Sequence, residues 1–125
     1  CVHCTYDPES RGGNSPDGRK VKGTIHWVNA ADCKKAEVRL YDRLFNKENP
    51  SDESAGAFTE NLNPDSLVVL KNCLIEGWLK ENLKPGDTFQ FMRQGYFCLD
   101  EDSTPDNIIF NRTVALKDSF VKKLW

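Results

Sequence analysis

Short stretches that alternate apolar and polar residues with a period of two recur along this 125-residue chain, cut at close intervals by Gly, Pro and Asp. That rhythm suits β-strands and very little else. Residues 21–28 (VKGTIHWV) set Val21, Ile25 and Trp27 on one face against Lys22, Thr24 and His26 on the other. Residues 37–45 (EVRLYDRLF) repeat it, with Val38, Leu40 and Asp42 opposing Arg39, Tyr41 and Arg43. Asn29 to Lys35 supplies a polar turn between them, so 21–28 and 37–45 are expected to form an antiparallel pair. Further strands are expected at 66–75, at 88–92 and 96–99 around Arg93-Gln94-Gly95, and at 108–116. The helical content is at most one short turn near 76–83, stopped by Lys84-Pro85-Gly86-Asp87. The fold class is therefore all-β, a barrel or sandwich of short strands. Asn46 to Asn63 reads as an exposed acidic connection, and Asp7 to Gly18 as a mobile hairpin loop.

Length allows one ordinary domain, or one small domain plus part of another. A chain that opens at Cys1, directly into patterned sequence, is expected to be cut from something longer. No apolar run approaches the roughly 18–20 residues of a membrane helix, so no membrane partner is expected. The formal net charge is −2, unevenly spread: residues 1–48 carry +2, residues 49–107 carry −7 and residues 108–125 carry +3. This argues against RNA binding by bulk electrostatics, so any RNA recognition rests on a few directed contacts.

Motifs for chemistry are scarce. Five cysteines at scattered spacings (Cys1, Cys4, Cys33, Cys73 and Cys98) fit reduced thiols, not a disulfide framework. Cys1-Val2-His3-Cys4 has the spacing of half a zinc site, but no second pair completes four ligands. Asp100, Glu101 and Asp102 fall in a polar loop without an apolar pocket to raise a carboxyl pKa, and read as solvated. No phosphate-cradling glycine loop is present. No catalytic residue and no metal site are expected in this chain.

Seven runs, in order along the chain, resemble the glutaminyl-tRNA synthetase family: DGRKVKG from Asp17, IHWV from Ile25, RLYDRLF from Arg39, NPDSL from Asn63, FQF from Phe89, GYFCLD from Gly95 and FNRTV from Phe110. The DGRKVKG run is similar to the bacterial type. The resemblance implies two stacked β-barrels of an anticodon-binding region. Residues 1–45 would be the last strands of the distal barrel, and 46–125 the C-terminal part of the proximal barrel. It further implies a parent chain with its own catalytic domain, a cytoplasmic monomer that joins glutamine to its tRNA with ATP and Mg2+. No cofactor falls to this fragment. The anticodon-reading arginines that the family places earlier are absent here.

By the same resemblance, Gln90 and Arg93 are the tRNA-binding residues, contacting the middle anticodon uridine of glutamine tRNA. Uracil offers two carbonyl acceptors and one N–H donor along its pairing edge. A Gln amide donates and accepts while the Arg fork only donates, so the pair can match that edge. On a regular strand these two residues fall on opposite faces. Their convergence requires the strand to bulge or end near Met92 to Gly95. The family's usual acidic residue between them is replaced by Met92. A freestanding ribosomal-type barrel that binds structured RNA by shape is the competing reading, and upstream synthetase motifs would decide against it.

Overall fold

The structure is a computed structural model and describes residues 3–12, 15–52, 56–80 and 83–116. Five strands form one sheet: β1 (Lys34–Tyr41), β2 (Leu67–Ile75), β3 (Thr88–Phe91), β4 (Gly95–Leu99) and β5 (Ile108–Val114), in the order β2-β1-β5-β4-β3. All regular helix among the described residues is short 3-10 turn, including Gly77–Lys80 within the span expected to turn. The all-β expectation holds.

Why these segments and not others follows from which could find a neighbour. β1 alternates as its sequence requires, burying Ala36 and Val38 while Lys35 faces solvent. It pairs antiparallel with β2 on one side and parallel with β5 on the other. β3 and β4 form a hairpin, and β4 pairs antiparallel with β5. The core lies on one face, where Phe110 is wholly buried and Ile108, Leu99 and Phe97 surround it. The Phe110 ring meets Phe89 and Phe91 edge-on, at centroid distances of 5.8 and 5.0 Å, and Phe91 stacks on Phe97 at 4.6 Å. Such pairs add to the burial of their area.

The ladder slips in two places. Ala36 pairs with Cys73 but Val38 with Leu70, so Glu37 faces both Lys71 and Asn72. Asn72 takes up this bulge with a φ of 66°, which asparagine tolerates better than most residues. Tyr96 pairs with Val114 but Phe97 with Arg112, leaving Thr113 as the extra residue on β5.

Residues 21–28 are not a strand, which corrects the expected pairing with 37–45. Val21, Ile25 and Trp27, the face expected to be inward, are all exposed. Alternation supplies an apolar stripe, but a strand also needs a neighbour for its N–H and C=O groups. Among the described residues no strand pairs with this segment, and the ladder partners of β1 come from far along the chain. The second expected strand also starts earlier and stops sooner than 37–45, since β1 runs from Lys34 to Tyr41. Phe45 beyond it makes only an isolated bridge with Leu62. That bridge closes the 46–63 connection at its neck, where Asn46 N–H donates to Asn61 C=O at 2.9 Å. Residues 53–55 of this connection lie outside the described residues; the rest is mostly exposed, with Pro50 and Asn63 half-buried and Asn61 buried.

Residues 13 and 14 of the expected Asp7–Gly18 loop lie outside the described residues. Around them Pro8–Ser10 forms a 3-10 turn, and Arg19 pairs with Asp7 at 2.7 Å. The polar turn at Asn29 to Asp32 is held against Gly77 so closely that a Cβ there would run into the Asp32 backbone. The sheet draws β1 from residues 1–45 and its other four strands from residues 46–125, so it runs across the expected division at 45/46.

Candidate functional site

The hairpin of β3 and β4 is the local product of Thr88–Phe91 and Gly95–Leu99 folding across Met92-Arg93-Gln94. Its ladder pairs Phe89 with Phe97, Gln90 with Tyr96 and Phe91 with Gly95. Alternation sends Phe89 and Phe91 into the core and leaves Gln90 exposed. The strand ends at Phe91, just before the Met92–Gly95 stretch where an end or a bulge was expected. Gln94 N–H then donates to Phe91 C=O at 2.9 Å, closing a turn.

Arg93 stands at the third position of that turn with a φ of 65°. The position has type II character, where glycine or asparagine is the usual occupant. Left-handed backbone at a residue with a Cβ costs about 1–2 kcal/mol and tends to persist where function holds it. Gly95 follows with a φ of 141°, and a Cβ on it would come within 2.6 Å of the Val114 carbonyl oxygen. The tip is therefore pressed against β5, and only glycine fits where it meets that strand.

Gln90 and Arg93 are both exposed, and neither side chain has a hydrogen-bond or ion-pair partner among the described residues. Their donors and acceptors are free for a ligand. Because β3 is the sheet's edge, Gln90 also borders an open, mainly apolar cavity of about 730 Å3. Trp27, Leu70, Phe91, Trp78 and Arg112 line it as well, while Arg93 lies outside its lining. His26 and Glu76, 3.5 Å apart, stand among its lining residues.

A second polar group, missed in the sequence, occupies the face of the sheet away from the core. Arg39 bonds Glu37 at 3.0 Å, Asp100 at 3.2 Å and Asp102 at 3.4 Å. Asn111 lies beside Arg39 in the β1–β5 register and donates its amide to Asp100. The Asp102 backbone N–H bonds Asp100 at 2.8 Å. That bond first, and then the Asn111 amide, hold the Asp100 carboxyl below the usual aspartate range, with Arg39 adding to both. The hydrogen bond to Glu37 is the largest cause holding the Arg39 guanidinium above its ordinary range. Asp100 is thus not a solvated loop residue as expected, although Asp102 is exposed. The sequence carried no local signal for this, because Arg39 and Asp100 are 61 positions apart.

Cys1 and Val2 lie outside the described residues. Cys4, Cys33, Cys73 and Cys98 are free thiols, and burial pushes the Cys73 thiol up. Among the described residues no three His, Cys, Asp or Glu side chains are grouped to hold a metal ion, and no helix is long and apolar enough to cross a membrane.

Residues 24–100 match the family described as tRNA synthetases class I (E and Q), anti-codon binding domain. The chain is 52% identical over 121 residues to the glutamine–tRNA ligase of Nitrobacter winogradskyi, covering 97% of this chain and 21% of that protein. It is 55% identical over 121 residues to the same ligase of Stutzerimonas stutzeri, covering 95% and 21%. For Vibrio parahaemolyticus the identity is 50% over 125 residues, covering 97% and 21%. The chain thus spans about a fifth of the length of each of these relatives.

Proposed function

The chain belongs to the anticodon-binding domain family of the class I tRNA synthetases (E and Q), and from that premise we propose that it reads the anticodon loop of glutamine tRNA for a glutamine–tRNA ligase. The middle uridine is the base assigned to Gln90 and Arg93. The observation that carries this reading is the pair of unspent polar side chains at the β3–β4 tip, one of them held in left-handed backbone.

The chemistry is that of edge recognition. The Gln90 amide accepts from the uracil N3–H and donates to one carbonyl, and Arg93 donates to the other. Cytosine turns an amino group toward a donor and leaves polar groups unpaired, at about 1–3 kcal/mol each. The parent, on this reading, is a cytoplasmic monomer that uses ATP and Mg2+ in a catalytic domain of the same polypeptide. Reaction chemistry belongs to that domain, and recognition to this one. The two-barrel division is part of the proposal. The pairing of β1 with β2 and β5 supports a seam ahead of Lys34 over one at 45/46.

The test is aminoacylation by the full-length protein of cognate tRNA and of tRNA with cytidine at the middle anticodon position. Gln90→Ala and Arg93→Ala are expected to narrow the ratio of kcat/KM between the two tRNAs by roughly 5- to 150-fold. An unchanged ratio in both variants refutes the assignment.

A further inference from the structure

Across the hairpin from Gln90 stands an exposed aromatic residue. Gln90 and Tyr96 are directly opposed in the β3–β4 ladder, where Cβ atoms lie about 4.5–5.5 Å apart. Alternation puts both on the face away from Phe89, Phe91 and Phe97. Those three phenylalanines join the core ring contacts, whereas the Tyr96 ring enters none of them and Tyr96 is 44% exposed. Its hydroxyl has no hydrogen-bond partner among the described residues.

The backbone beneath it, by contrast, is tightly held. Tyr96 sits where the β4–β5 ladder slips, and bulges commonly re-aim a side chain beside a functional site. Thr113 Oγ1 donates to the Tyr96 carbonyl at 3.1 Å, and Gly95 before it abuts the Val114 carbonyl. A flat ring on a fixed backbone, beside a free amide, has the makings of a stacking platform for an unpaired base.

We infer that Tyr96 is a third residue of the reading site, and that its ring is the surface on which the base addressed by Gln90 lies. The inference rests on the proposed reading of Gln90 and Arg93 and adds a division of labour to it. Gln90 and Arg93 test the edge of the base, and Tyr96 holds its face. Every base has a π-face, so the platform supplies affinity without discrimination.

The experiment uses the full-length protein with Tyr96→Leu and Tyr96→Phe. Tyr96→Leu is expected to lower kcat/KM roughly 5- to 150-fold, by one common factor for cognate tRNA and tRNA with cytidine at the middle position. Tyr96→Phe keeps the ring and stays within about two-fold of the parent protein. Undiminished kcat/KM in Tyr96→Leu overturns the inference, as does a loss in Tyr96→Phe equal to that in Tyr96→Leu. Should Tyr96→Leu lower the melting temperature, Tyr96→Trp decides: retained kcat/KM upholds stacking and a loss overturns it. Failure of the underlying reading is visible separately, since that reading is carried by the tRNA ratio in Gln90→Ala and Arg93→Ala.

Discussion

Arg39 and Arg93 present the same five-donor guanidinium, and the sheet uses them in opposite ways. Arg39 extends from the interior strand β1 and spends its donors on Glu37, Asp100 and Asp102. Its charge is answered before any ligand arrives. Arg93 stands at a hairpin tip, in backbone that its own Cβ disfavours, with no partner among the described residues. One arginine ties β1 to the loop after β4 and so serves the fold. The other stands in disfavoured backbone with its donors unspent among the described residues.

That contrast can be broken from the core. Phe110 is wholly buried and its ring meets Phe89 and Phe91 edge-on, so the hairpin rests on it. Phe110→Ala is expected to cost about 3–5 kcal/mol in urea unfolding, and to weaken tRNA recognition with it. If recognition survives that loss untouched, the tip does not depend on the core in the way described.

A smaller change separates the two regions by pH. The folded Asp100 carboxyl titrates below its unfolded value, so its contribution to stability is complete above the ordinary aspartate range. It is lost as pH falls through the unfolded and then the folded value. The melting temperature of the parent protein is expected to drop on acidification, and that of Asp100→Asn to drop less steeply. Discrimination among tRNAs at neutral pH stays as it was in Asp100→Asn. Identical acid profiles would show that the network around Arg39 adds no stability.

The smallest effect on stability is expected at the tip. Arg93→Gly relieves the left-handed backbone but loosens the unfolded chain, and the two nearly cancel. Unfolding free energy should move by less than about 1 kcal/mol, while discrimination at the middle anticodon base falls as in Arg93→Ala. A large destabilisation would mean that Arg93 is a structural residue like Arg39.

The β3–β4 hairpin was legible in the sequence because everything that specifies it is local. Alternating aromatics on both strands, the Arg93-Gln94-Gly95 interruption and Gly95 itself lie within twelve residues, Thr88 to Leu99. The segment 21–28 has an equally clean alternation and forms no strand, because pattern describes a face and says nothing of a neighbour. The same limit hid the Arg39–Asp100–Asn111 group: its members meet only through the parallel β1–β5 register. Gln90 and Arg93 stand out only by family resemblance, and that neither side chain has a partner among the described residues is visible only in the fold.

By itself, then, the sequence determined an all-β chain, the positions of its later strands and the end of β3 just before Arg93. Periodicity, turn residues and glycine act over a few positions, and those can be read directly. Tertiary structure alone decided which strands became neighbours across the sheet and that Arg39 meets Asp100 and Asp102. Each of these depends on register between strands, which long-range packing sets and one-residue slips reverse.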